Sequence, residues 1–209
     1  MRRLISCVLM MTLLLAACGA AEEESPENLA ARIRAEYLSA AAWSATAELS
    51  VDYGEQVFDF TVDAAWEREG DLVLTVTEPD LIAGITAVVR DGETILDYDG
   101  VGLSLGLLDL NGLTPVSALP MLMECITTGY MARCSWSGEG EGRELVVLCR
   151  EPNLAPQEGT EQTLYFDPIT HALKRAEVSV NGVLRLTVQF TDFTLELTKD
   201  ETGTDENLG

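Results

Sequence analysis

An alternation of apolar and polar residues at positions 58–67 constrains the fold of this chain more than any other feature. Every second residue from position 58 to position 66 is apolar, and most residues between them are polar. A period of two places the apolar side chains on one face of a β-strand and the polar ones on the other. A similar run at 72–76 follows the Gly70-Asp71 turn. The sequence therefore predicts two neighbouring strands with one buried face.

Three dipeptides predict how such strands connect. Asp91-Gly92, Asp99-Gly100 and Asn181-Gly182 each separate two strand-like runs, and these pairs favour the type I′ turns that join antiparallel neighbours. Alternation near the C-terminus predicts a meander with apolar residues Leu164, Phe166, Val178, Val180, Leu184, Leu186, Val188 and Phe190. No strand–helix–strand alternation occurs, so we expect an antiparallel sheet rather than a parallel one.

An amphipathic helix is predicted before the strands, at residues 26–41. Ser25 is a suitable N-cap, and Pro26 occupies the first helical position, where its missing N–H has no cost. Leu29, Ile33 and Tyr37 recur at a spacing of four, which places them on one face.

A second helix is predicted at Leu113–Gly129, with Thr114 or Ser117 as its N-cap and Gly129 at its end. Pro120 should either start the helix proper or kink it, because proline cannot donate a backbone hydrogen bond. The apolar residues occupy nearly every face: Val116, Leu119, Leu122, Met123 and Ile126. Such a helix must be buried on more than one side, and we expect it to fill the concave face of a strongly curved sheet.

The N-terminal residues are typical of a bacterial lipoprotein signal. Arg2 and Arg3 precede an apolar run at 4–15, which is short of the ~20 residues that span a bilayer. The following Leu15-Ala16-Ala17-Cys18 resembles a lipobox, which implies cleavage before Cys18 and its acylation. We expect residues 1–17 to be removed and the protein to be anchored by lipid outside the cytoplasmic membrane. Ordinary signal cleavage, with Cys18 an incidental thiol, is the alternative.

The mature chain would be strongly acidic. Losing Arg2 and Arg3 leaves 11 basic against 35 acidic residues, a formal charge of −24. This charge repels nucleic acid and anionic lipid headgroups. Residues 18–25, which include Glu22 to Glu24, are interpreted as an acidic tether, and residues 198–209 as a disordered polar tail.

The order of these elements resembles the LolA/LolB lipoprotein-carrier superfamily. The similar stretches are AAWEREGDLVLTVTEPD, VVRDGETILDYDG and TLYFDPITHALKRAEVSVNGVLRLTVQFTDF, with Trp66 and Gly70, Tyr98 after Asp91-Gly92, and Phe166-Asp167 as the matching points. The resemblance implies an α+β fold over residues 26–197: an unclosed antiparallel β-barrel with helices plugging it.

The resemblance also implies two functional hypotheses. In the first, the half-barrel binds a lipid or an acylated protein in an apolar hollow, as the family's carrier does. We expect that hollow to be lined by Phe60, Trp66, Leu119, Met123 and Ile126. In the second, the helix fills the hollow permanently and the acidic surface docks an envelope partner such as a cell-wall hydrolase, as spore-germination lipoproteins of clostridia suggest.

Enzymatic motifs in the sequence are weak. Residues 102–106 fit G-x-S-x-G around Ser104, and His171 follows, but that motif requires a strand-to-helix elbow in a parallel sheet. Asp97 to Gly100 begins like a calcium loop and lacks its later ligands. A single histidine and the absence of C-x-x-C exclude histidine–cysteine metal sites. We expect no catalytic activity, cofactor or metal.

Three cysteines lie beyond Cys18, and an extracytoplasmic location permits a disulfide. A hairpin turn centred on Glu141-Gly142 would set Cys134 opposite Cys149, and Gly142 at the second turn position favours that register. A turn centred on Gly140 would set Cys134 opposite Val146 and keep the thiols roughly 10 Å apart. A Cys134–Cys149 bridge is therefore one interpretation, and small buried thiols are the other.

Overall fold

The computed structural model describes residues 24–90, 93–107 and 113–198. The helices in this part of the chain are α1 (Pro26–Ser39) and α2 (Pro115–Thr128). The strands are β1 (Ala40–Asp52), β2 (Val57–Glu67), β3 (Leu72–Glu78), β4 (Thr86–Arg90), β5 (Glu93–Tyr98), β6 (Val101–Leu107), β7 (Met131–Ser137), β8 (Glu144–Arg150), β9 (Thr160–Phe166), β10 (Leu173–Val180) and β11 (Val183–Leu197). Neither described helix combines the length and apolar character needed to cross a bilayer.

All eleven strands form one antiparallel sheet in the order β6-β5-β4-β3-β2-β1-β11-β10-β9-β8-β7. The first and last of the described strands, β1 and β11, pair at the centre of the sheet. The edges are β6 and β7, and these two strands do not pair, so within the described residues the sheet is not closed. This architecture confirms the predicted unclosed antiparallel barrel.

Local sequence signals explain the strands and turns. In β2, Val62 and Ala64 are buried while Asp63 and Ala65 are exposed, as the period of two predicts. Both residues of Asp99-Gly100 and of Asn181-Gly182 have positive φ, which is the backbone of a type I′ turn. Asp91-Gly92 lies outside the described residues.

Helix α1 begins as predicted and ends two residues earlier than predicted. The side chain of Ser25 accepts a hydrogen bond from the Asn28 amide at 3.2 Å, and Leu29, Ile33 and Tyr37 are buried. The helix stops at Ser39 because Ala40 is extended and pairs with Leu197 on β11. At residues 40 and 41, strand pairing at the sheet centre therefore outweighs helix propensity.

Helix α2 has a capping box at its start. The Thr114 side chain accepts from the Ser117 amide at 3.1 Å, and the Ser117 side chain accepts from the Thr114 amide at 3.0 Å. Pro120 lies inside the helix, so the option that it starts the helix is wrong. The cap at Thr114 satisfies the first amides, which lets the helix begin before the proline.

Helix α2 joins the two edge strands, β6 and β7, and so crosses the concave face of the sheet. Val116 near its start lies against residues of β2, β3 and β4, whereas Cys125 and Gly129 near its end lie beside β8 and β9. Several of its side chains are completely buried: Ala118, Leu119, Leu122 and Ile126. The core therefore lies between α2 and the sheet, as predicted.

The predicted register of the β7–β8 hairpin is wrong. Cys134 pairs with Val147, and the last pair is Ser137 with Glu144. A six-residue connection containing a 3₁₀ turn at Gly140–Gly142 replaces the two-residue turn that the prediction assumed. Cys134 and Cys149 are then diagonal neighbours, with Cα atoms roughly 7–8 Å apart, beyond the usual disulfide range of about 4.4–6.8 Å. Cys125, Cys134 and Cys149 are free thiols in the structure.

Candidate functional site

A row of four large apolar side chains crosses the concave face near one end of the sheet. Strand register places Trp43 opposite Trp66, Trp66 opposite Leu72, and Leu72 opposite Val89. Directly opposed residues of neighbouring strands point to the same face. Strands β1 to β4 therefore contribute one continuous apolar wall.

Helix α2 supplies the facing wall. Pro120, Met123 and Thr127 are spaced three and four residues apart, which places them on one face of a helix. Together with Tyr37 of α1, the two walls border a half-open cavity of about 370 Å³. This size falls in the range of roughly 300–1,000 Å³ that small-molecule pockets occupy. We call this cavity the apolar pocket.

The ring of Tyr37 is fixed by contacts on several sides. Its hydroxyl donates to the His171 carbonyl oxygen at 3.1 Å and accepts from the Leu173 amide at 3.1 Å. The Phe193 ring stacks on both Tyr37 and Trp43, and its centroid is 5.9 Å from that of Tyr37 and 6.5 Å from that of Trp43. Burial raises the pKa of Tyr37 well above its usual value, so the hydroxyl stays protonated and remains a donor.

The two hydroxyl groups that line the apolar pocket are already paired, and its one carboxylate lies at the margin. The Thr127 hydroxyl donates to the carbonyl oxygens of Met123 and Glu124 within its own helix, at 3.0 and 3.1 Å. The Glu124 side chain is exposed, and the Tyr37 hydroxyl is hydrogen-bonded to the backbone of His171 and Leu173. The pocket therefore offers aromatic and aliphatic surface to a ligand, with a single carboxylate at its margin.

The structure separates the five residues predicted to line the hollow. Trp66 and Met123 both line the apolar pocket. Leu119 and Ile126 are completely buried on the other faces of α2 and belong to the core. Phe60 is on β2 outside this pocket; it stacks on Phe58 with centroids 6.4 Å apart and lines a larger depression over the sheet centre.

Sequence reasoning missed Tyr37, Trp43, Leu72 and Val89 as pocket residues. A signal existed for Leu72, because a turn at Gly70-Asp71 brings it opposite Trp66. Tyr37 was predicted on the apolar face of α1, but nothing local shows where that face packs. The contact depends on the β9–β10 turn, more than 130 residues away.

A larger depression of about 700 Å³ lies elsewhere, over the strands β2, β1, β11 and β10 at the sheet centre. Mostly hydroxyl, amide and charged side chains surround it, including the carboxylates Glu48, Asp59, Glu78 and Glu177. The smaller apolar pocket differs from this depression because aromatic and aliphatic side chains form most of its lining, whereas polar and charged side chains form most of the lining here.

The residues of the weak enzymatic motif are not brought together. Ser104 is exposed on the edge strand β6, whereas His171 lies in the turn between β9 and β10. The Nδ1 atom of His171 is 2.6 Å from a Glu36 carboxylate oxygen, and the Nε2 atom is 3.4 Å from an Arg32 guanidinium nitrogen. Arginine only donates, so Nε2 accepts and Nδ1–H donates to Glu36. His171 therefore ties this turn to helix α1.

Metal-ligating side chains do not cluster in the described ranges. In residues 24–90, 93–107 and 113–198, no group of three histidine, cysteine, aspartate or glutamate residues is arranged to hold a metal ion. The predicted turn at 97–100 is present: the Asp97 carboxylate accepts a hydrogen bond from the Gly100 amide at 3.3 Å.

No protein-family model matches this sequence, and no curated protein matches it. Similar solved structures include an uncharacterised conserved protein from Thermus thermophilus, with a TM-score of 0.47 and 14% identity over 84% of this chain and 90% of that one. A LolA superfamily protein from Nitrosomonas europaea has a TM-score of 0.42 and 12% identity over 89% of this chain and 100% of that one. A chain in the complex of the CwlD amidase with the GerS lipoprotein, from Clostridioides difficile, has a TM-score of 0.41 and 14% identity over 84% of this chain and 99% of that one.

The observed architecture agrees with the fold that the resemblance in the sequence implied. The unclosed antiparallel sheet and the helix across its concave face are the features that the resemblance in the sequence implied. Cys18, on which the predicted lipid anchor depends, lies outside the described residues, as do most of the predicted tether and tail.

Proposed function

We propose that this protein is a lipid-anchored envelope protein that binds an apolar chain, either of a lipid or of an acylated protein, in the apolar pocket. The observation that carries the proposal is the facing of two apolar walls, one from β1 to β4 and one from α2, across a cavity of about 370 Å³. An acyl chain gains ~0.8 kcal/mol for each CH₂ that it buries.

The composition of the walls supports an apolar ligand over a polar one. Leu72 and Trp43 are 7% and 6% exposed, and Trp66 and Val89 beside them are partly buried, so the sheet side of the pocket is largely shielded from water. A polar ligand would lose hydration there and could regain hydrogen bonds mainly from the indole N–H groups of Trp43 and Trp66, since the Tyr37 and Thr127 hydroxyls are already paired. The exposed Glu124 marks the margin at which a ligand headgroup would meet water.

The proposed anchor is the acylated Cys18. Glu24, the first described residue, forms an ion pair with Arg32 of α1 at 2.8 Å, so the described fold starts close after the anchor. The acidic residues 22 and 23 would keep this part of the chain solvated and off an anionic lipid surface.

A second candidate function is docking of a basic envelope protein such as a cell-wall hydrolase. The depression over the sheet centre favours it, because four carboxylates there are accompanied by one arginine, Arg175. That arginine is already paired with Glu144 at 3.1 Å and with Glu177 at 3.3 Å. The depression would therefore present net negative charge to a partner.

Energy transfer from tryptophan to cis-parinaric acid tests acyl-chain binding. Two of the three tryptophans, Trp43 and Trp66, line the pocket, while Trp136 lies on β7 beneath the Arg143 guanidinium. In the Trp136→Phe variant, all tryptophan emission comes from the pocket. We expect saturable quenching of this emission as the fatty acid is added, and competition by unlabelled palmitate.

A matched pair of variants on β4 locates the binding. Val89→Phe fills the pocket and should abolish the transfer, whereas Val88→Phe places the same added volume on the opposite face of the strand and should preserve it. Unsaturable transfer, or equal transfer in both variants, would count against binding in the pocket and leave the docking candidate.

A further inference from the structure

Two cysteines distant in sequence meet where helix α2 contacts the sheet. Cys125 is in the last turns of α2 and Cys149 is near the end of β8; the residues are 5% and 3% exposed. Both line a surface cavity of about 320 Å³ on the face of α2 next to the apolar pocket, with Glu124 between the two. Each of these thiols is the largest single influence on the pKa of the other, so the two side chains lie close together in the folded chain.

We propose that Cys125 and Cys149 form a disulfide that fastens helix α2 to strand β8, and that Cys134 stays a free thiol. Cys134 is excluded by the β7–β8 register, in which it faces Val147 and is only a diagonal neighbour of Cys149. The inference does not depend on what the apolar pocket binds.

Cys149 is the better nucleophile of the pair. The hydrogen bond from Cys125 lowers the pKa of Cys149, burial opposes this shift, and the nearby Arg34 guanidinium adds to it. The same hydrogen bond and burial raise the pKa of Cys125. Arg34 is held at this place by the carbonyl oxygens of Ile126 at 2.8 Å and of Gly129. Since the thiolate is the attacking species in disulfide exchange, the lowered pKa favours Cys149 as the attacking sulfur once local opening of the surface cavity admits the oxidant.

The oxidant is a disulfide, either of a small molecule or of an oxidoreductase, as an extracytoplasmic site supplies. The Cys149 thiolate attacks one oxidant sulfur, forms a mixed disulfide and releases the first thiol. Cys125 loses its proton and attacks the Cys149 sulfur, which releases the second thiol. The two protein thiols lose two electrons and two protons in total, and the oxidant disulfide gains both as two thiols.

The bridge would restrict the helix that forms one wall of the apolar pocket. It would close a loop over residues 126–148, which includes the edge strand β7, and hold the C-terminal turns of α2 against β8. In the reduced protein that end of the helix is held by packing, by the Arg34 hydrogen bonds and by the strand pairing of Met131 with Cys149 just beyond it. The bridge would add a covalent link between α2 and β8 to these contacts.

Peptide mapping tests the proposal directly, because trypsin sites at Arg90, Arg133, Arg143 and Arg150 separate the three cysteines. They fall in the peptides 91–133, 134–143 and 144–150. The full chain is incubated with oxidised glutathione, and a second sample with dithiothreitol. Both are then alkylated in guanidinium chloride, digested and analysed by mass spectrometry. We expect peptide 91–133 joined to 144–150 in the oxidised sample alone, with 134–143 alkylated in both.

Two variants sharpen the result. Cys134→Ser should keep the linkage, and its Tm should rise by about 5–10 °C on oxidation, as closure of a loop of this length predicts. Cys125→Ser should show neither the linkage nor the rise. Alkylated Cys125 and Cys149 in the oxidised wild-type chain, glutathione retained on Cys149, or a bridge to peptide 134–143 would each overturn the proposal.

Discussion

The hydroxyl of Tyr37 donates a hydrogen bond to the carbonyl oxygen of His171, 134 residues further along the chain, at 3.1 Å. The same hydroxyl accepts from the amide of Leu173. One side chain of α1 thus satisfies two backbone groups of the turn between β9 and β10. This contact joins the helix to the sheet at the margin of the apolar pocket.

Tyr37→Phe should keep the ring contacts and lose both hydrogen bonds. The buried backbone groups would be left without partners, which costs about 1–3 kcal/mol. Urea unfolding followed by circular dichroism measures this change in the free energy of unfolding. Tyr53→Phe is the control, since that hydroxyl donates to the Leu113 carbonyl at 2.8 Å from a residue that is 53% exposed, and its loss should cost about 0.5 kcal/mol or less. Equal losses would mean that Tyr37 is not a tertiary anchor.

The glycines of the β7–β8 connection should differ sharply in their tolerance of alanine. Gly138 and Gly140 both have positive φ, at 72° and 59°. A Cβ on Gly138 would overlap the carbonyl oxygen of Gly142, whereas a Cβ on Gly140 would meet open space. Gly140→Ala should therefore cost only the left-handed backbone strain, roughly 1–2 kcal/mol, and Gly138→Ala clearly more. Thermal unfolding of the two variants compares them, and an equal effect would contradict the observed turn.

Stability in acid should depend on Asp167. Burial raises the pKa of this carboxyl, but hydrogen bonds from the Thr170 and Ile169 amides, at 2.8 and 2.9 Å, outweigh it, so the net pKa is lowered. A lowered folded-state pKa gives stability that is present above the unfolded value of about 3.9 and lost as pH falls through the folded value.

Asp167→Asn should therefore lower stability at neutral pH and flatten the loss of stability below about pH 4. Urea midpoints measured between neutral pH and pH 3 test this. The exposed Asp59→Asn, on the opposite face from the core, serves as the charge-matched control. An unchanged acid slope in Asp167→Asn would show that these hydrogen bonds do not favour the ionised carboxylate.

The sequence predicts those parts of the fold that depend on local signals. Alternation assigns Val62 to the buried face of β2, and Asn181-Gly182 forms the turn that its conformational preferences require. The β7–β8 register fails because the run SGEGEGR contains three glycines and thus several acceptable turn centres. The predicted register pairs Cys134 with Cys149, whereas the observed register pairs it with Val147, two residues away.

The candidate site was only partly predictable, for a related reason. Met123 and Leu119 are both apolar residues of one helix, and composition cannot show that one faces a cavity while the other is completely buried. That difference depends on how α2 is rotated over the sheet. The rotation is set by contacts with strands far away in sequence, including β8 at Cys149.

Cys18→Ala tests the predicted lipid anchor. The substitution removes the only thiol of the lipobox, so palmitate labelling should disappear and the protein should move from the membrane fraction to the soluble or secreted fraction. Cys7→Ala, within the apolar run that precedes the cleavage site, is the control and should leave both unchanged. Membrane retention of Cys18→Ala would contradict lipidation at this residue.

Met123→Ala and Leu119→Ala separate a ligand pocket from a permanently filled core. Leu119 is completely buried, so its truncation should cost about 2–5 kcal/mol of unfolding free energy. Met123 is half-buried at the pocket wall, and we expect a loss of about 1 kcal/mol. Binding of cis-parinaric acid should instead weaken about fivefold in Met123→Ala, since a bound chain loses contact worth ~0.8 kcal/mol per CH₂. If Met123→Ala destabilises as strongly as Leu119→Ala and leaves probe binding unchanged, α2 fills the concave face permanently. Docking of a basic partner at the depression over the sheet centre then becomes the better candidate function.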